Sequence, residues 1–257
     1  MIEIRQCRTT LKEAMLLPIL LTLLSVAEDL PAPKYIVELQ TELDHVQGID
    51  VEANRLWVSE VQRKEKRGRV HKFELSSGKL LRTADVTRGV QYHPGGITLD
   101  KNSLWVPVAE YRPKSSSTIL RLDKSSLEVE ETLDIADHIG AIAIGPQLWG
   151  ANWDARQIYD LRTKTPRDNV GGTGYQDLKF SRGLLVGGGL RGKTEFVIDW
   201  LDPGTLKLVR RIIAGRTDRG VPYTQEGMTI KGDRLYLLPE DGRSRLFVFD
   251  LPPMNTR

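Results

Sequence analysis

Four histidines occur in the 257 residues, and three of them stand at matching places. His45, His93 and His138 lie three, three and two residues ahead of Gly48, Gly96 and Gly140, each of which opens an apolar run. Imidazoles brought to one point from different strands are a common way to build a metal site with an open position. The cofactor such a set would take is a divalent metal: zinc, iron or calcium. The same side chains would equally cap their own strands or ring a water-filled channel, and no compact motif of the HExxH kind decides between these readings. Entering the first strands of two further units stand Asp177, with Gln176 before it, and Glu226, candidates for general acid, general base or further ligand.

A second group lies further along the same units: Glu60, then Glu110-Tyr111-Arg112, then Asn152-Trp153-Asp154 with Arg156, then Glu240-Asp241. Tyr111 and Trp153 would wall a ligand, with Asn152, Asp154 and Gln176 as polar contacts. Arg112 or Arg156 would clamp an anionic group. Glu60 and Glu110 would exchange protons if their surroundings shift them. Singly, each of these residues reads as a turn former or a surface pair. Their recurrence at one end of every unit makes them candidates.

A repeat must hold these residues. Gly48, Gly96, Gly140 and Gly227 each precede an apolar stretch, and Trp57, Trp105, Trp149 and Tyr236 follow them by nine residues; a fifth unit has Asp177 in the glycine's place. After each aromatic strand comes a third β-rich run: Val70 to Leu75, Thr118 to Leu122, Gln157 to Leu161, Phe196 to Trp200 and Leu246 to Leu251. A fourth follows at Lys79 to Ala84, Leu127 to Leu133 and Leu208 to Ile213, and unit three offers only Asn169-Val170. Four short strands per unit at this period predict an all-β, five-bladed β-propeller, with a six-bladed ring as the alternative. The last unit has three strands, and the orphan strand from Tyr35 to Leu39 would complete it, so that the N-terminal strand closes the ring. The first strand of each blade would line the axis and bring both groups to one face. The tryptophans would pack between blades, and His71, in mid-strand, reads as structural.

Residues 1–27 carry Arg5, Arg8 and Lys12 ahead of an apolar run that ends in Ser25-Val26-Ala27, the pattern of a cleaved signal peptide. The alternative is an anchor or a buried helix. Residues 28–34 would be a linker and 35–257 a single propeller domain. Secreted or periplasmic export follows from that leader, with no stable membrane insertion after its removal. Loss of the leader removes three basic and two acidic residues, so the formal charge falls from +3 to +2. So small a charge argues against nucleic acid as a partner. The lone Cys7 lies in the leader, which leaves the mature chain without a disulfide or thiolate site. The glycine runs 171–174 and 187–189 lack the strand-to-helix setting of a phosphate loop, and no Gly-x-Ser-x-Gly elbow occurs.

The units His45-Val-Gln-Gly48-Ile-Asp, Tyr92-His-Pro-Gly-Gly96-Ile, Ala151-Asn-Trp-Asp-Ala-Arg-Gln157, Tyr175-Gln-Asp177 and Thr224-Gln-Glu-Gly227-Met resemble those of a family of secreted bacterial β-propellers known as a domain of unknown function. That resemblance runs from about residue 35 to the end and implies the fold and export, with no activity attached. More loosely, the chain is similar to plant-type glutaminyl cyclotransferases, five-bladed propellers whose blades begin with Gln-Gly or Glu-Gly. Gln47-Gly48 and Glu226-Gly227 match that pattern, whereas His93-Pro-Gly-Gly96 and His138-Ile-Gly140 depart from it. Calcium-type lactonases are similar in architecture alone. The function expected is a metal-dependent enzyme acting on a small polar molecule at the axial mouth. The alternatives are a non-catalytic propeller holding a small molecule, a peptide or a protein, and glutaminyl cyclisation. A monomer is expected.

Overall fold

Strands form in this chain where β-branched and aromatic residues alternate with polar ones between turn residues. In the computed structural model, which describes residues 28–254, these strands gather into five sheets. Two short strands come first, β1 (Glu28–Asp29) and β2 (Tyr35–Glu38). Blade 1 is β3 (His45–Glu52), β4 (Arg55–Gln62), β5 (Arg67–Glu74) and β6 (Leu80–Asp85). Blade 2 is β7 (Gln91–Pro94) with β8 (Thr98–Leu99), then β9 (Ser103–Glu110), β10 (Ser117–Asp123) and β11 (Val129–Ile135). Blade 3 is β12 (Ile139–Ile144), β13 (Leu148–Asn152), β14 (Gln157–Asp160) and β15 (Thr165–Asp168). Blade 4 is β16 (Thr173–Ser181), β17 (Leu184–Arg191), β18 (Glu195–Leu201) and β19 (Leu208–Ile213). Blade 5 is β20 (Glu226–Lys231), β21 (Arg234–Pro239) and β22 (Arg245–Asp250), completed by β2, which pairs antiparallel with β22 from Tyr35↔Val248 to Glu38↔Arg245. This is the five-bladed ring closed by the N-terminal strand; the six-bladed alternative falls away.

Two details differ from the sequence reading. The fourth strand of blade 3 is Thr165–Asp168, because Asn169 forms a turn, its amide donating to the carbonyls of Ala155 and Thr173. Within the segment expected to be a linker, β1 adds to blade 4 parallel to β19, Glu28 opposite Ile212, with the Glu28 carboxylate 2.6 Å from Arg210. The leader expected over residues 1–27 lies outside the described residues. Among the described residues no helix is long and apolar enough to cross a membrane.

Each pair of neighbouring blades buries its own apolar cluster, which is why the repeat needs its aromatic. Trp57 packs with Leu104, Leu120 and Leu122 of blade 2, and Trp105 with Ile139, Ile142 and Leu148 of blade 3. Trp149 meets Leu178 and Leu185 of blade 4, while Tyr236 meets Val46 and Ile49 of blade 1 across the closure. Blade 4 joins blade 5 through Val186 and Trp200 against Met228 and Phe247.

At the axis the inner strands come too close for side chains. A Cβ on Gly48 would stand 2.4 Å from the Gly96 Cα, and one on Gly96 would stand 2.5 Å from the Asp177 carboxylate. Asp177, the exception in the glycine series, fills the gap the others leave. Its carboxylate accepts N–H groups from Ile49 of blade 1 at 3.1 Å and Met228 of blade 5 at 3.0 Å. Lys179 pairs with it at 2.5 Å and also donates to the Ile97 carbonyl of blade 2 at 2.7 Å. Gly96 donates its N–H to the Gly140 carbonyl and accepts that of Ile142, which ties in blade 3. A buried ion pair thus plugs the channel, and the space above it is a closed-ended mouth.

Candidate functional site

The end of the ring where the inner strands begin holds a cavity of about 160 Å³. At about 30 Å³ of liquid volume per water, it has room for about five water molecules. Four of the inner strands deliver residues to it directly or from the turn before them: His45 and Gln47 from blade 1, His93 from blade 2, Gln176 from blade 4 and Glu226 from blade 5. His138 enters from the turn just before β12, and Trp153 stands in the short 3-10 turn Trp153–Ala155 that follows β13. The loop after β9 contributes Tyr111.

Aromatic rings pack edge to face around this mouth, the arrangement their quadrupoles favour. His93 lies 4.5 Å from Tyr111, 5.2 Å from His138 and 5.9 Å from Trp153, measured between ring centroids. His138 lies 4.6 Å from Trp153. Tyr92 stacks behind Tyr111 at 6.1 Å.

Hydrogen bonds set the proton positions on the two buried imidazoles. Gln47 donates its amide to the Val46 carbonyl at 2.9 Å, which aims its oxygen at His93 Nε2, 2.8 Å away. His93 therefore carries its proton on Nε2, and Nδ1 is a buried acceptor with no partner among the described residues. His138 donates from Nδ1 to the Arg112 carbonyl at 3.0 Å, so Nε2 is its acceptor. Burial is the main cause that holds both rings neutral: it lowers His138, and it drives His93 down to about 3, with the two other histidines adding to the effect. His45 spends Nδ1 on the carboxylate of Glu240.

Glu226 is the group these neighbours surround. Its side chain is buried, and among the described residues its carboxyl takes no hydrogen bond from the protein. Burial first, then the nearby carboxylates of Glu240 and Asp177, push it up to about 8. A carboxyl in that state is protonated at neutral pH and close enough to its midpoint to give up the proton.

The cavity thus gathers His45, His93, His138, Tyr111, Asn152, Trp153, Asp154, Gln176 and Glu226 of the residues predicted from sequence. Other members of that set have different work. Asp177 is consumed by the axial plug and is no acid or base for a ligand; burial pushes it up against the pull of Lys179. Glu60 is a buried strut that accepts the Asp44 N–H and pairs with His71 Nε2 at 2.7 Å. Glu110 and Arg112 pair with each other at 2.8 Å on the surface, and Arg156 reaches only Asp154, at 3.5 Å. Neither arginine lines the cavity, so the anion clamp is not assembled. Asn152 borders the mouth, yet its amide is engaged, donating to Asp137 and accepting the Gln157 N–H.

The three histidines share the mouth without converging as a ligand set. Among the described residues no group of three or more His, Cys, Asp or Glu is spaced to hold a metal ion. The residues present do not fit the expected metal.

Two further residues matter to which the sequence reading gave no role of their own. Gln47 orients His93, and Glu240 both holds His45 and raises Glu226. Their places at the start of an inner strand and the end of a second strand were the available signal.

Comparison with known proteins adds the fold and a family. Residues 36–174 match the model described as "Family of unknown function (DUF6454)", more than half of the chain. A search of the curated proteins finds no match. Among solved structures, a chain of the "Crystal Structure of Mitotic Checkpoint Complex" is similar at TM-score 0.51 and 12% identity, covering 96% of this chain and 100% of that one. A second, "Bifunctional GH43-CE Bacteroides eggerthii", is similar at TM-score 0.59 and 12% identity over 89% of this chain, which spans 35% of the other. At such identities the likeness concerns the fold alone.

Proposed function

The chain belongs to DUF6454, a family of unknown function, so its activity has to be read from its own site, and we propose that this propeller is a proton-transfer enzyme for a small polar molecule bound in the axial mouth. Glu226 is the general acid and base. Protonated at rest, it donates to a leaving or developing anionic atom and recovers a proton when the product departs. His138, neutral with Nε2 as its acceptor, orients the substrate, and His93, Tyr111 and Trp153 wall it. A single observation carries this reading: the Glu226 carboxyl, with no hydrogen-bond partner among the described residues, opens into a small cavity that neutral imidazoles line. A carboxyl whose protonation is shifted by burial and by neighbouring carboxylates in a cleft marks work other than stability. A thermal-shift screen of small polar molecules against the wild type and Glu226→Gln tests it. Ligands that raise the melting temperature of the wild type and not of the variant support the site; hits indifferent to Glu226 sink it.

One observation favours a specific reaction of this class. Gln47 and Glu226, the two residues that match the cyclotransferase pattern, both line the cavity. Cyclisation of an N-terminal glutamine needs a proton moved from the attacking amine to departing ammonia, a task suited to one carboxyl near its midpoint. A peptide with N-terminal glutamine incubated with the protein decides the point, and absence of pyroglutamate ends that reading. The export reading of residues 1–27 belongs with this proposal. It is tested by the mass of the mature protein recovered outside the cytoplasm.

A further inference from the structure

The charges around the mouth are one-sided. Glu226 and Asp154 line the cavity, and no lysine or arginine does. Arg112 and Arg156 are held outside by Glu110 and Asp154, and Arg63, near Tyr111 at the rim, is held by Asp44 at 3.1 Å. An anionic ligand would therefore meet carboxyls and neutral rings with no cation to receive it, and desolvating it there would be unfavourable. A cation would meet the reverse.

Hydrogen-bonding capacity narrows the class. Gln47 and the Arg112 carbonyl fix the imidazole protons so that His93 Nδ1 and His138 Nε2 are both acceptors. His93 Nδ1 is closed off from the cavity, and His138 Nε2 with the two oxygens of the Glu226 carboxyl makes three acceptor atoms for one space. A primary ammonium carries three N–H donors and no acceptor. Tyr111 and Trp153 line the same space, and an aromatic ring face attracts such a head group. A metal ion would call on the same atoms, but no three of these groups stand close enough to hold one.

Resting on the reading of the mouth as a small-molecule site, we infer that its ligand class is a primary ammonium group on a short chain, seated between Glu226 and His138. Binding converts Glu226 to its carboxylate and expels a proton. The groups facing Glu226 are Glu240 with its partner His45, Asp177 with Lys179, and across the cavity His93, His138, Asp154 and Tyr111, with Arg63 at the rim. None of these supplies a free cation inside the mouth.

Isothermal titration of the full-length chain with propylammonium, tetramethylammonium, acetamide and acetate tests this, with each titration run in two buffers of different ionisation enthalpy. Propylammonium is expected to bind, releasing about 0.9 proton at pH 7 and about 0.1 at pH 9, the protonated fractions of a group titrating at about 8. Tetramethylammonium, with the charge and no N–H, is expected to bind at least tenfold more weakly, and acetate not to bind. Glu226→Gln is expected to lose both the proton release and at least tenfold in affinity; the proton count on the wild type stands whether or not the variant folds. Acetamide or acetate binding as well as propylammonium overturns the ammonium class, while Glu226-dependent acetamide binding leaves the acid–base site standing. Propylammonium binding with no proton released overturns both. Failure of all four ligands overturns the ammonium class and leaves the wider screen to decide the site.

Discussion

Replacing Glu226 by glutamine should stabilise the fold, and by an amount that depends on pH in a specific way. Glutamine matches the protonated carboxyl in shape and cannot ionise. In the wild type the folded state holds the Glu226 proton up to about 8, whereas the ordinary value is 4.5. A group raised on folding contributes stability that is fully present below the unfolded value and lost as pH rises through the folded one. Between those limits the unfolded chain has released a proton that the folded chain still holds, so stability falls as pH rises. Integrating the linkage gives a wild-type loss of about 3 kcal/mol at pH 7 and about 5 kcal/mol at pH 9, relative to acid conditions where both states are protonated. Glu226→Gln escapes this loss, so its advantage over the wild type should be near zero at pH 4 and grow to those figures. Urea unfolding at pH 4, 7 and 9, comparing variant with wild type at each, cancels every other titrating group. An advantage that does not change with pH, or a variant less stable at all three, would refute the claim that Glu226 is held protonated at a cost to the fold. That cost is what a residue retained for chemistry shows.

Lys179→Met should destabilise the ring by about 3–5 kcal/mol in denaturant unfolding, since it strands the Asp177 carboxylate in the axial plug; adding Asp177→Asn should recover part of the loss. Gly48→Ala should cost several kcal/mol or prevent folding, because its Cβ would meet the Gly96 main chain at 2.4 Å. Arg112→Ala and Arg156→Ala should leave the urea unfolding midpoint and ligand binding unchanged, as both form exposed surface pairs. Zinc, iron or calcium added to metal-free protein should leave the melting temperature unchanged; a rise that grows with metal concentration would contradict the arrangement of the histidines.

Much of the architecture was legible in the order of residues, because it rests on short-range physics. The glycine, the aromatic nine residues later and the turn residues between them repeat because each blade must build four strands and pack its face on the next. Five such units and one orphan strand leave little freedom for another ring. The same logic placed His45, His93, His138 and Glu226 at one end of the molecule, since residues at matching positions of a repeat share a face. Glu28–Asp29 was not legible, because a two-residue strand carries no periodicity and owes its place to blade 4.

What each side chain does at that end was decided by contacts between residues far apart in the chain. Asp177 and Glu226 stand one repeat position apart at the start of their inner strands and look alike in sequence, yet Asp177 meets Lys179 and the N–H groups of two other blades, while Glu226 meets none among the described residues. Arg112 reads as an anion clamp until the fold turns it outward to Glu110. The imidazole protons are fixed by Gln47, one blade away from His93, and by a main-chain carbonyl 26 residues from His138. Sequence alone therefore determined the ring and the face, which depend on pattern and local geometry. Tertiary structure decided which carboxyl is a strut and which is free to move a proton, because burial and partners across blades set that choice.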